Sequence, residues 1–166
     1  MGEETRLLEV LTIEPSADLR ARLLASVDPA SLLAGFAPRI AAFFDLPDAR
    51  AGEILREAGD VEGSAWVGTP LPGVRLQHFE GGPRFAGKDC GLVYLAPGTA
   101  FPAHAHRGDE WNLMLSGSIE EDSGERWEAG DLVIRTDGSR HAFRAVGSVP
   151  ALFAVILHGR IDLDLG

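Results

Sequence analysis

The stretch Gly98-Thr99-Ala100-Phe101-Pro102-Ala103-His104-Ala105-His106-Arg107-Gly108-Asp109-Glu110 decides how this chain is read, and Gly117 closes the segment. On a β-strand, side chains alternate between faces, so His104 and His106 project to the same side. Imidazole nitrogen and carboxylate oxygen together suit a divalent transition metal. A further histidine, His141, stands downstream in Asp137-Gly138-Ser139-Arg140-His141. If the fold returns it to the first pair, His104, His106, Glu110 and His141 make four ligands. Asp109 adjoins Glu110, but alternation points it the other way. His78 and His158 have no partner at ligand spacing and read as sheet residues.

Composition sets the frame around that segment. At 166 residues the chain is long enough for one compact domain with a real core, and 45% of it is apolar. The formal net charge of −10 and the single lysine, Lys88, argue against a nucleic-acid partner, whose phosphates require clustered Lys and Arg. Apolar runs fall far short of the ~20 residues that span a bilayer. The start, Met1-Gly-Glu-Glu-Thr-Arg, lacks the basic and apolar regions of a signal peptide, so a cytoplasmic protein without a membrane element is expected. Cys90 is the only cysteine, which excludes an intrachain disulfide and a cysteine-based zinc cluster. It reads as a small buried residue opening a strand.

Two textures divide the chain, at residues 1–62 and 63–166. The first is helical. Leu19, Leu23, Leu24 and Val27 form a stripe at helical spacing, and Asp28-Pro29 reads as an N-cap followed by a first-turn proline. Phe36, Ile40, Phe43 and Phe44 continue the stripe, with Pro38 near a helix start. After the break at Asp45-Leu46-Pro47-Asp48, Ile54, Leu55 and Ala58 predict another helix. This aromatic-rich surface could cover a sheet or dock onto a second subunit. From Gly63 onward, short β-rich runs follow: Val74 to Phe79, Cys90 to Leu95, Trp111 to Ile119, Asp131 to Arg135 and Ala151 to Leu157. Glu120 to Glu125 reads as a hairpin turn. Such a series indicates a sandwich or small barrel. Trp66, Trp111 and Trp127 read as sheet-packing residues. If Glu110 faces inward, Asn112 and Met114 follow it, and Phe143 follows His141; these three are the candidate cavity-lining residues.

Gly98 through Gly117 match the first cupin motif, G-x-x-x-x-x-H-x-H-x-x-x-E-x-x-x-x-x-x-G, at every fixed position. Gly130, Gly138 and His141 match the second motif, where Thr136 and Ala145 stand at its proline and asparagine positions. The chain thus resembles the cupin superfamily. That resemblance implies a mainly β antiparallel double-stranded β-helix, the cupin jelly-roll barrel, here preceded by N-terminal helices. It also implies one divalent transition metal ion held at His104, His106, Glu110 and His141, with zinc first and iron, manganese or nickel as alternatives.

Trp66, Pro72-Gly73-Val74 and Gly138-Ser139-Arg140-His141 narrow the resemblance to the cupin domain of ChrR-type anti-sigma factors. Those proteins carry a separate N-terminal module that holds zinc through His and Cys and grips a sigma factor. No H-x-x-x-C-x-x-C occurs here, so direct sigma-factor binding is not expected. Two functions follow from the resemblance. One is a regulatory module that senses a small ligand or an oxidant. The other is a small mononuclear-metal enzyme of dioxygenase or isomerase type, for which the residues supply no additional acid or base. A homodimer is expected by analogy with cupins that pair through their sheets.

Overall fold

The computed structural model describes residues 29–164. The stripe from Leu19 to Val27 and the expected cap at Asp28 lie outside the described residues. Three helices, α1 (Pro29–Ala34), α2 (Ala37–Phe44) and α3 (Asp48–Ala58), precede eleven strands. These are β1 (Val67–Gly68), β2 (Val74–Phe79), β3 (Asp89–Leu95), β4 (Ala100–Arg107), β5 (Glu110–Ser116), β6 (Ser118–Glu121), β7 (Arg126–Glu128), β8 (Leu132–Arg135), β9 (Arg140–Val146), β10 (Ala151–Leu157) and β11 (Arg160–Leu163). They form a six-stranded sheet in the order β1-β2-β3-β10-β5-β8 and a five-stranded sheet in the order β11-β4-β9-β6-β7. Every pairing is antiparallel. This is the expected double-sheet barrel with helices before it.

The central strands of the six-stranded sheet, β3, β10 and β5, are buried on both faces, and alternation explains how. Along β5, Trp111, Leu113 and Leu115 turn outward into the helical layer, while Met114 turns inward to the barrel core. Along β10, Leu152, Ala154 and Ile156 point out and Ala151, Phe153 and Val155 point in. The outer cluster is completed by Ile40, Ala41 and Phe44 of α2 and by Ala51, Ile54, Leu55 and Ala58 of α3, which recur at helical spacing. The aromatic-rich helical surface therefore covers the chain's own sheet. Cys90 is buried in the same layer, where loss of solvation pushes its thiol pKa up.

Polar contacts fix the helices in place. The Gly82 N–H donates to Phe44 O at 2.8 Å, and a side chain at Gly82 would collide with the Asp45 carbonyl. Arg39 donates to Gly130 O at 2.8 Å, and Gln77 Nε2 donates to Glu57 at 3.0 Å. Among the described residues, no helix is long and apolar enough to cross a membrane.

The sequence run from Trp111 to Ile119 is not one strand. It breaks at Gly117, whose φ of 69° lies in the left-handed region, and the chain passes there from the six-stranded to the five-stranded sheet. A Cβ at Gly117 would stand 2.4 Å from the Pro150 carbonyl oxygen, so glycine is required on two counts. The Glu120 to Glu125 hairpin is present, but β6 extends through Glu121 before turning. Strands β1 and β11, both short and at sheet edges, carried too little pattern to be expected.

Candidate metal centre

Two pairings bring the histidines together. Strand β4 pairs with β9 so that His104 stands directly opposite His141, after an irregularity in register between Phe101 and His104. His106 lies two residues along β4, on the same face as His104. The His106 backbone is tied to the loop before His141: its N–H donates to Ser139 O at 2.9 Å, and Gly138 N–H donates to His106 O at 3.0 Å. Glu110 comes from the other sheet, as the first residue of β5. The turn between them depends on Gly108, where φ is 103° and a Cβ would crowd the Gly159 backbone at 3.0 Å.

One ligand-type atom from each of His104, His106, Glu110 and His141 lies within 4.8 Å of the others, and all four residues are buried. The donor atoms are oriented by outer partners. His104 Nδ1 is 2.9 Å from Pro102 O, and His141 Nδ1 is 2.6 Å from Glu121 Oε1. A carbonyl and a carboxylate only accept, so both Nδ1 atoms carry the proton and both Nε2 atoms present lone pairs to the cluster. Those two Nε2 atoms are 2.9 Å apart. Facing lone pairs at that distance repel unless a cation or proton lies between them. His106 makes the point again: both its ring nitrogens are buried without a hydrogen-bond partner among the described residues. Leaving such atoms unpaired costs on the order of 1–3 kcal/mol each. A divalent ion would satisfy one of the two His106 nitrogens and the facing lone pairs of His104 and His141, and the donor set fits one.

Burial also sets the charge state. Loss of solvation holds the His104 and His106 imidazoles at a pKa of about 4, so both are neutral, the ligating form. The same cause raises Glu110 to about 7, against the opposing effect of its hydrogen bond from Asn112 Nδ2 at 2.8 Å. Glu110 Oε2 is 3.8 Å from His106 Nδ1.

Glu121 is the residue that reading the sequence as a turn overlooks. Only 6% exposed, it accepts from His141 on one side and from Arg135 Nε and Nη2 at 3.0 and 2.6 Å on the other. Arg135 in turn lies over the Trp127 ring at 5.2 Å and pairs with Glu125 at 2.9 Å. A signal was available, since Ile119 and Glu121 are two apart and share the buried face of β6.

A cavity of about 400 Å³ reaches the cluster, with His104 and Glu110 on its wall. Of the three expected lining residues, Phe143 borders it and stacks on Phe101 at 4.9 Å. Asn112 is buried against Glu110, and Met114 is buried in the barrel core. His158 sits away from the cluster, beside Trp111 and Phe85. Asp109 serves the turn, accepting from the Asp137 N–H at 3.0 Å. Trp127 is buried in the barrel core, and Trp66 lies under the helices.

Known proteins share this architecture. The structure of Rhodobacter sphaeroides SigE in complex with the anti-sigma ChrR matches over 87% of this chain and 68% of that chain, with a TM-score of 0.52 and 23% identity. An acetylacetone dioxygenase from Acinetobacter johnsonii matches over 60% of this chain and 71% of its own, with a TM-score of 0.50 and 17% identity. These likenesses show the cupin fold. In sequence, anti-sigma-E factor ChrR of Cereibacter sphaeroides is 34% identical over 82 residues, 46% of this chain. That match spans 38% of the relative's length. Residues 56–160 match the model of the ChrR cupin-like domain, more than half of the chain, and the chain therefore belongs to that family.

Proposed function

We propose that this chain is a metal-binding sensor cupin whose barrel holds one divalent transition ion through His104, His106, Glu110 and His141. Zinc is the first assignment, with iron, manganese or nickel as alternatives. One observation carries the reading: four buried donors converge, two imidazole lone pairs already face each other, and two of the four residues, His104 and Glu110, stand at the wall of a largely apolar cavity. When bound, such an ion supplies Lewis acidity and an attachment point for a small molecule or an oxidant. The chain's own residues do the rest. Pro102 O and Glu121 orient two imidazoles, Asn112 holds Glu110, and the stacked Phe101 and Phe143 pack against the His104 and His141 rings.

Family membership supports a regulatory setting for that binding. Sigma-factor contact is not assigned to this chain, because no H-x-x-x-C-x-x-C occurs in it. We further propose that the chain divides between residues 62 and 63, is cytoplasmic, and pairs into a homodimer.

A second reading is a small mononuclear-metal enzyme, of dioxygenase or isomerase type. It is favoured by the cavity reaching His104 and Glu110, which would leave one side of the ion open to substrate. Against it, the cavity wall near the cluster is apolar and supplies no additional buried acid or base.

Metal analysis of protein purified without chelators tests the shared premise, with one equivalent per chain expected. X-ray absorption at the metal edge then separates the readings. Four protein donors with no exchangeable water count against the enzyme, whereas iron or manganese with an open position filled by water favours it over a zinc sensor that takes its ligand at the ion. A protein that holds no metal at neutral pH would overturn both.

A further inference from the structure

The cavity has a second polar end, opposite the four donors. Most of its wall is aliphatic or aromatic, including Leu76, Val93, Phe153 and Val155, and no lysine or arginine borders it. Besides His104 and Glu110, the polar residues on it are Thr69, Gln77, His78 and Asp89, and the last two form a pair at its solvent-facing mouth, with side chains 55% and 53% exposed. Both line the cavity, and His78 Nδ1 lies 3.1 Å from Asp89 Oδ1.

Strand register fixes how far this pair lies from the cluster. Asp89 stands opposite Leu157 of β10, and Leu157 stands opposite Glu110 of β5. Asp89 and Glu110 are therefore on one rung of the sheet, two strands apart, which is roughly 10 Å. His78 belongs to β2, one strand further out. Leu157 lines the cavity between the two polar ends.

The Asp89 carboxylate only accepts, so Nδ1 of His78 carries the proton they share. In the neutral ring, Nε2 is then an acceptor, and it makes no hydrogen bond among the described residues. An acceptor at one end, metal-type donors at the other and an apolar span between them specify both the length and the polarity of an occupant.

We infer that the cavity takes an extended, uncharged, largely apolar molecule with metal-coordinating oxygens at one end and a hydroxyl at the other. The hydroxyl donates to Nε2 of His78. This inference rests on the metal reading of the four-donor cluster. A carboxylate in place of the hydroxyl would face Asp89 with no arginine or lysine on the wall to balance it. A volume of about 400 Å³ is within the usual range of small-molecule sites.

The test uses three hydroxamic acids of one six-carbon chain length, ending in a hydroxyl, a methyl or a carboxylate. Hydroxamate chelates divalent metals through two oxygens and so anchors each probe at the same end. Calorimetric titration of the zinc-loaded chain should find the hydroxyl probe roughly three- to tenfold tighter than the methyl probe, the effect of one neutral hydrogen bond. The carboxylate probe should be the weakest. In His78→Phe, an exposed position, the hydroxyl advantage should vanish while the methyl probe still binds. Equal binding of all three probes, or an advantage that survives in His78→Phe, would overturn the second polar end and leave the metal reading standing. If none binds and the dialysed chain retains no zinc, the metal reading fails and this inference fails with it.

Discussion

Glu121 receives the Nδ1–H of His141 at 2.6 Å, and the two side chains are buried together, each 4% exposed. The carboxylate does not reach the four-donor cluster itself. It sets which nitrogen of His141 does. Because Arg135 holds the same oxygen, Glu121 keeps its position without help from the cluster.

Removing that carboxylate should weaken the metal without deleting a ligand. Glu121→Ala is expected to lower zinc affinity about 10- to 100-fold, the range seen when outer partners of metal-bound histidines are lost. Competition with a chromophoric chelator measures the affinity, and nitrogen-15 NMR of the metal-free protein reports the His141 tautomer. Native affinity with an unchanged tautomer would show that Glu121 serves only its bridge to Arg135.

His104→Ala removes the imidazole that stands opposite His141 across β4 and β9. It should abolish stoichiometric metal and lower the melting temperature of protein purified from zinc-supplemented cells. Metal content equal to that of the native chain would refute the ligand assignment.

Protons and metal compete for the same atoms, so affinity should depend on pH in two stages. Glu110 titrates at about 7 in the metal-free fold. Below that pH one proton must leave for each ion bound, and apparent affinity should fall about tenfold per pH unit. Below about 4, protons on His104 and His106 join, and the slope should steepen. Stability of the metal-free chain follows signs that oppose each other. The two imidazoles lie below their ordinary 6.5, so their contribution is present above 6.5 and lost as pH falls to about 4. Glu110 lies above its ordinary 4.5, so its contribution is present below 4.5 and lost as pH rises through about 7. With two groups against one, metal-free stability should rise from pH 4.5 to 6.5. Denaturant titrations across that window check the sign.

Gly117→Ala should be costly for two separable reasons, left-handed backbone and the 2.4 Å approach to the Pro150 carbonyl. The backbone part alone is about 1–2 kcal/mol. Gly124→Ala is the control: φ there is 86°, but nothing lies within 4 Å of the added carbon. Gly117→Ala should therefore lower the melting temperature by clearly more than Gly124→Ala. Equal shifts would mean that the strand crossing tolerates a side chain.

Much of the centre was legible because ligand spacing and strand alternation are local. His104, His106 and Glu110 sit within one short segment, and a period of two places the histidines on one face. His141 required long-range pairing, which only the motif resemblance supplied. Glu121 and Arg135 escaped notice for a physical reason. A carboxylate in an acidic hairpin looks solvated, and although alternation with Ile119 turns it inward, the arginine from another strand that makes its burial tolerable is visible only once the strands are paired. Gly117 was legible as the end of the motif but not as a crossing point, because hydrophobicity is continuous from Trp111 to Ile119 even though the chain changes sheets within it. The His78–Asp89 pair is diagonal across β2 and β3, so no spacing along the chain could reveal it.

Strand β5 has one further consequence. Its odd-numbered residues support the helices, while its even-numbered residues begin with Glu110 at the cluster and Asn112 behind it. No ribbon of backbone insulates one role from the other. A substitution at Trp111 or Leu113 intended to loosen the helical cover is a change made on the reverse side of the carboxylate's own foundation, and experiments that treat those positions as distant controls would be measuring the site itself.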